Sequence, residues 1–263
     1  MGDSIDQWLQ SNGRTSLCVI SPHLDDAVYS TFVALTGEIA RREVVTVVTD
    51  AAPGRQTRWS TLAGFADTHA EHLERCREDR QVLGRLGVEV VHLGACSDDA
   101  NSLRLRLEKF VHGRANIDEC AFLLPAGAGR QSSTTQRLWR RVRRESDGLG
   151  PHPEHMQVRD IMTHALRQQS SALWGYYAEI PYILNDSVDA LRLRLERLAH
   201  CSLVVSECQP DPATKQESAA GYVSQAGLAL GRDEASRLRF CAHPERMFLK
   251  AGLKRARIQG EVV

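Results

Sequence analysis

Hydrophobic positions along this chain alternate between two periods. Ser16–Ser21 (SLCVIS) is a short apolar run that stops at Pro22 and reads as a buried strand. Ala27–Arg42 carries Val28, Phe32, Val33, Leu35 and Ile39 at helical spacing. Val44–Thr49 (VVTVVT) is a near-continuous β-branched run, the pattern of a parallel strand covered on both faces. Asp50–Phe65, with Pro53 and Gly54, reads as a loop, and Asp67–Leu86 as a charged helix with an apolar stripe. Glu89–Leu93 and Cys120–Leu124 are further strands, separated by a helical period over Leu103–His112. This β-α-β-α-β-α-β order predicts a doubly wound parallel sheet. Such sheets bind ligands at the carboxyl ends of their strands, so the loop after Ser21 is the first place to look for chemistry.

The second half is less regular. Ala126–Gly150 is rich in Gly, Ser and Arg and holds Trp139; a loop of that length in a compact domain is a lid, a binding loop or an unstructured segment. Glu154–Gln168 reads as a helix, Ala172–Tyr176 and Ser202–Ser206 as strands, and Thr214–Leu230 as a helix. Leu191–Leu195 (LRLRL) suits either an edge strand or the start of an amphipathic helix. There is no internal repeat, and 263 residues suit one large α/β domain over residues 1–263.

Composition narrows the classes. Lys and Arg total 33 and Asp and Glu total 33, so no net field draws the chain to nucleic acid or an anionic membrane. Seven Cys without a CxxC pair read as buried thiols in a reducing, cytoplasmic setting. The first residues lack the basic-then-apolar pattern of a leader, and no apolar run approaches a membrane span.

The candidate chemistry follows the first strand, in Pro22-His23-Leu24-Asp25-Asp26. Zinc takes imidazole nitrogen and carboxylate oxygen, and catalytic sites keep one position open. His23 and Asp26, three apart at a helix entry, can face one ion, leaving Asp25 beside it as a general base. The competing reading is that either Asp caps the helix. A second cluster, Gly150-Pro151-His152-Pro153-Glu154-His155, also opens a helix after a loop. Two such junctions can meet at one sheet edge, where His155 completes a His₂–carboxylate set and His152 either supports a ligand from behind or faces substrate. Two His at the second cluster suit zinc better than magnesium, which prefers oxygen.

These segments resemble the signatures of the LmbE-like, or PIG-L-type, zinc de-N-acetylases, roughly Pro/Ala-His-Pro-Asp-Asp and Gly-His-Pro-Asp-His. Weaker matches follow in order: Arg75 and Glu78 with Leu83 and Gly87, His92-Leu93-Gly94 with Asp98, and Lys215 with Tyr222, Ser224 and Gln225. The resemblance implies a Rossmann-like three-layer α/β fold, with a mostly parallel central sheet and helices on both faces. It implies one Zn²⁺ per chain on His23, Asp26 and His155, with Asp25 as catalytic base. His152 would stabilise the oxyanion or help protonate the leaving amine, and Arg75 and Asp98 would lie near the substrate. Leu24 replaces the usual Pro, Ala27 stands where many members have Glu, and Pro151 stands where Gly is common. Glu154 replaces Asp with one extra methylene, at a position that would orient a His through a carboxylate bond.

The implied reaction is hydrolysis of an N-acyl amide, foremost an N-acetyl group on an amino sugar or a metabolite containing one. An amide of a thiol conjugate or other specialised metabolite is the alternative substrate. A non-catalytic carbohydrate- or metabolite-binding protein is the competing class, although such a protein has no need of Asp25. The expected partner is a small N-acylated molecule, with no nucleic acid and no membrane; the reading admits a homo-oligomer. His69 and His72 read as a solvated helix face. Trp174, Tyr176, Tyr177 and Tyr182 could stack on a sugar, although packing is the commoner use of such a cluster. The arginines of the long loop (Arg130, Arg137, Arg140, Arg141, Arg143, Arg144) suit a substrate lid or a solvated run.

Overall fold

The computed structural model describes residues 4–38, 41–97, 99–129, 150–231 and 233–251. Its centre is a seven-stranded sheet in the order β3-β2-β1-β4-β5-β7-β6. The strands are β1 (Ser16–Ser21), β2 (Arg41–Asp50), β3 (Glu89–Cys96), β4 (Cys120–Pro125), β5 (Leu173–Tyr177), β6 (Leu203–Cys208) and β7 (Glu245–Lys250). β1 to β5 run parallel, while β7 is antiparallel to both β5 and β6. The β-branched run of β2 is buried on both faces, as its composition requires.

The helices form two groups. α2 (Asp26–Thr36), α4 (Thr68–Arg85), α8 (Pro212–Ala219), α9 (Val223–Ala229) and α10 (Glu234–Cys241) pack on one side. α5 (Ala100–His112), α6 (Pro153–Arg167) and α7 (Val188–Ala199) form the other layer. This is the expected three-layer α/β fold. The order reverses between β1 and β4, which are neighbours, so the loops after these strands flank the crevice where doubly wound sheets bind ligands.

Several elements depart from the sequence reading. The helix predicted over Ala27–Arg42 is α2 and ends at Thr36, where the backbone of Gly37 turns extended (ψ −172°) ahead of β2 at Arg41. Within it, the backbone breaks at Thr31 (φ −136°, ψ 25°). The carboxylate of Glu245 takes the freed N–H groups of Phe32 and Val33, each at 2.9 Å, and is itself held by Lys215 Nζ at 2.7 Å. Leu191–Leu195 is helical, inside α7. The helix predicted over Thr214–Leu230 is two helices, broken around Gly221; a Cβ there would lie 2.5 Å from Val82 Cγ2. The loop predicted over Asp50–Phe65 contains a short helix, α3 (Arg58–Leu62), closed by a reciprocal cap between Thr57 and Ser60. α1 (Ile5–Ser11), η1 (Tyr182–Asn185), α10 and β7 are additions to the sequence reading.

All seven cysteines are free thiols. No helix among the described residues is long and apolar enough to cross a membrane. The arginine-rich stretch and Trp139 lie outside the described residues, as does Asp98.

Candidate active site

Three adjacent strands deliver the site. β1 runs into the turn carrying His23, Asp25 and Asp26, where Ser21 Oγ donates to the carbonyl of His23 at 2.6 Å and accepts from the N–H of Ala27 at 3.1 Å. β4 leads to Gly127 and Ala128, and α6 begins with His152 at its cap position, followed by Glu154 and His155 in its first turn. β5 ends just before Glu179.

His23 Nδ1, Asp26 Oδ2 and His155 Nε2 converge. Each of the three pairwise distances is 3.1 Å. The other imidazole nitrogens point outward to carboxylates: His23 Nε2 lies 2.6 Å from Glu154 Oε2, and His155 Nδ1 lies 3.0 Å from Glu179 Oε1. In the neutral tautomers these outward bonds take the ring N–H groups. Two nitrogen lone pairs and a carboxylate oxygen then face one point, an arrangement that calls for a cation. A tetrahedral zinc with ligands at about 2.0–2.1 Å has ligand–ligand edges of about 3.3 Å, so this donor set fits one. The imidazoles of His23, His152 and His155 also form a group, with one ring nitrogen from each within 4.8 Å of the others. His152 thus stands beside the tighter triangle, its ring 4.9 Å from those of His23 and His155.

The electrostatics agree with a seat for positive charge. Burial opposes protonation of His155, but the charge and hydrogen bond of Asp26, with Glu179 behind, raise its pKa to about 10. Burial likewise opposes protonation of His23, and its bonds to Asp26 and Glu154 outweigh that. Burial disfavours the Asp26 anion, yet His155 and His23 hold that carboxyl well below the usual range. Glu154 is similar: the bond from His23 overcomes its burial and brings it to about 2. His152 is the exception. Burial, then the neighbouring His23 and His155, push it down to about 4, so it is neutral near pH 7. Its Nδ1 is buried without a partner among the described residues, 3.9 Å from Glu154 Oε2, too far for a hydrogen bond.

Asp25 occupies the cap position of α2 but makes no capping bond. Its Oδ1 instead lies 3.2 Å from Arg75 Nη2, and Arg75 Nη1 donates to the buried Glu71 at 3.2 Å. Burial raises the Asp25 pKa, with Arg75 opposing and Asp26 adding to the rise. Arg75 therefore binds Asp25 directly, in addition to lining the cavity over the site. That cavity, of about 560 Å³, is within the usual range for a small-molecule pocket and is bounded by His23, Trp59, His72, Arg75, His152 and Gln157, among others.

The late motif residues also gather beneath the site. Tyr222 Oη donates to Asp79 at 2.8 Å, and Lys215 reaches Glu245 as described. Ser224 donates to Glu78 through its N–H at 2.8 Å and its hydroxyl at 2.6 Å. His69 turns its Nδ1 to the carbonyl of Ala51 at 3.0 Å, and His72 to that of Thr68 at 2.8 Å. Of the aromatic cluster, Trp174, Tyr176 and Tyr177 are core residues, while Tyr182 packs on His155 and His152 with centroids 5.5 and 6.2 Å away.

Sequence reasoning missed Glu179 and Trp59. Glu179 carried a readable signal: a lone acid in the apolar run Tyr177-Ala178-Glu179-Ile180-Pro181 must find partners if buried. Its partners, besides His155, are the N–H groups of Gly127 at 2.8 Å and Ala128 at 2.9 Å.

The sequence matches no family model and no curated protein. The fold, however, is that of solved deacetylases. The A40926 pseudoaglycone deacetylase Dbv21 superposes with a TM-score of 0.62 at 20% identity, covering 91% of this chain and all of that one. A triple mutant of the deacetylase of teicoplanin biosynthesis gives 0.64 at 19%, covering 92% and 100%. The zinc-inhibited form of teicoplanin deacetylase Orf2 gives 0.60 at 20%, covering 92% and 100%. At a fifth identity, what these share with the chain is the architecture.

Proposed function

We propose that this protein is a zinc-dependent amide hydrolase of the LmbE-like, PIG-L-type family. It removes an N-acyl group, foremost N-acetyl, from an amino sugar or a metabolite containing one. The observation that carries this reading is the triangle of His23 Nδ1, Asp26 Oδ2 and His155 Nε2, backed by a carboxylate on each imidazole, with Asp25 held beside it by Arg75. The fold shared with the A40926 pseudoaglycone deacetylase and the deacetylase of the teicoplanin pathway supports it.

His23, Asp26 and His155 would hold the metal, and a zinc bound there would supply a water of lowered pKa and polarisation of the amide carbonyl. Asp25 takes a proton from the attacking water as the new C–O bond forms. Its raised pKa makes it a better proton acceptor than an ordinary carboxylate, and Arg75 fixes its orientation. His152, neutral, lining the cavity and with its ring 4.9 Å from those of His23 and His155, would donate a ring N–H to the carbonyl oxygen as that atom gains charge. The C–N bond breaks as the nitrogen receives the proton stored on Asp25, giving acetate and a free amine. Glu154 and Glu179 keep the two imidazoles turned so that their lone pairs face inward.

The test is acetate release from N-acetylated sugars, glycosides and thiol conjugates, with zinc supplied and with zinc stripped by a chelator. Zinc-dependent acetate from an N-acetylhexosamine is the expected result. Full turnover in the stripped protein, or none on any acetamide with zinc bound, would overturn the reading.

A further inference from the structure

Trp59 lies on α3, in a segment that reads as loop in the sequence, and is 39% exposed. Among the described residues it is the only indole or phenyl ring lining the cavity over the metal triangle. An exposed indole ordinarily samples several rotamers, but this one is tied. Its Nε1 donates to Oε1 of the fully buried Gln225. Gln225 Nε2 donates to Ser224 Oγ at 3.2 Å, and Ser224 is in turn held twice by the buried Glu78. The helix beneath the ring is clamped by the Thr57–Ser60 cap and by the bond from Phe65 N–H to the Ser60 carbonyl at 2.9 Å. A buried chain of three side chains from α4 and α9 thus fixes the edge of the ring and leaves the rest of it open to the cavity.

We propose that Trp59 is the platform for the substrate's sugar ring and that Gln225 is the residue that positions it. This rests on the deacetylase reading and specifies it further. A pyranose has an apolar face of C–H groups, which suits the negative face of an indole, while its hydroxyls need polar partners at the rim. His72, Glu71 and Gln157 supply that rim. A ring fixed before the ligand arrives loses little rotamer freedom on binding, which is the benefit of preorganisation. The prediction is selectivity for ring-bearing acetamides over open-chain ones, set by a residue that takes no part in bond breaking.

The experiment compares wild type, Trp59→Ala and Gln225→Leu as full-length protein. Two probes are used: methyl N-acetyl-β-glucosaminide and the ring-free N-acetylethanolamine. Binding is followed by calorimetry and tryptophan fluorescence in the zinc-loaded and zinc-stripped protein, and acetate release is followed separately. Trp59→Ala should weaken glucosaminide binding and raise its KM by about tenfold, from lost stacking and burial. It should leave kcat and the ring-free probe unchanged, while the denaturation midpoint falls modestly because the buried Gln225 carbonyl loses its donor. Gln225→Leu should give a smaller KM increase, and its glucosaminide-induced fluorescence change should shrink. Equal glucosaminide binding in wild type and Trp59→Ala would overturn the platform, as would equal losses on both probes. If glucosaminide binds through Trp59 but no acetate appears, the platform stands and the hydrolase reading fails. If acetate is released with an unchanged KM in Trp59→Ala, the hydrolase stands and the platform fails.

Discussion

Glu179 is the most demanding test of how the site is built, because one buried carboxylate serves three donors. It accepts from Gly127 N–H at 2.8 Å and Ala128 N–H at 2.9 Å, and lies 3.0 Å from His155 Nδ1. It is fully buried, so water is not already present to replace it. Glu179→Ala orphans all three groups. At about 1–3 kcal/mol for each, the loss is at least about 3 kcal/mol. That is a large share of the roughly 5–15 kcal/mol that holds an ordinary domain together. Glu179→Gln is the milder form, since it keeps one acceptor oxygen but turns an amide N–H₂ toward donors, costing about 1–3 kcal/mol. Loss of the carboxylate behind His155 should also weaken zinc binding about 10–100-fold. Glu154 gives the contrast. It is partly exposed and accepts from His23, at 2.6 Å, and from the side chain of Ser97, so Glu154→Gln should weaken zinc binding with less change in stability than at Glu179. The assays are urea denaturation of the zinc-stripped protein and zinc titration against a competing chelator. His155→Ala, which removes a proposed ligand outright, sets the lower limit for zinc. A Glu179→Ala protein within about 0.5 kcal/mol of wild type would refute the burial argument. A Glu179→Gln protein with wild-type zinc affinity would refute the role behind His155.

Three further outcomes are expected. Asp25→Asn should retain zinc by elemental analysis and lose about 10²–10⁴-fold in turnover, the usual cost of a missing general base; wild-type turnover would remove Asp25 from the chemistry. Lys215→Met leaves the Glu245 carboxylate, with no exposed surface, without its counter-charge and should cost about 3–5 kcal/mol in denaturation, with Lys215→Met/Glu245→Gln recovering part of it. Asp67 caps α4 and accepts from Ala70 N–H and Gly54 N–H, each at 2.8 Å, and these bonds hold its pKa below the usual value. Its contribution to stability is therefore present above the unfolded carboxylate pKa of about 3.9 and is lost as pH falls through the lower folded value; Asp67→Asn should flatten the acid limb of the unfolding curve.

The legible part of the fold was the part governed by local pattern. β1 was read to the residue and β2, β3 and β4 within a few, because apolar β-branched runs between charged helices have few other uses. The missed elements depend on contacts far away in sequence. β7 is a three-residue apolar core, Met247–Leu249, flanked by charges, and becomes a strand by pairing between β5 and β6. α3 is five residues long, and its cap pair shows no apolar period. The break at Gly221 has a local signal, since glycine is a poor helix former, but the approach of Val82, some 140 residues earlier, that excludes a side chain there has none.

The same division runs through the site. Residue types that advertise chemistry, the two His/carboxylate clusters, could be picked out because few structural uses explain them together. What the structure adds is the set of groups that turn them. Glu154, Glu179 and Arg75 each contact a neighbour of the cation seat through a carboxylate or guanidinium. The sequence marks these residues by family position or by an apolar setting, and geometry shows which atom each one holds. The extra methylene of Glu154 illustrates the point. By spacing alone it was a departure from the family signature; in the fold its Oε2 reaches His23 Nε2 at 2.6 Å, across the crevice between β1 and β4. The longer side chain is therefore compatible with an inward-facing His23 Nδ1. Specificity must then be sought elsewhere along the cavity wall, where Trp59 and its tether from Glu78 stand apart from the atoms that break the bond.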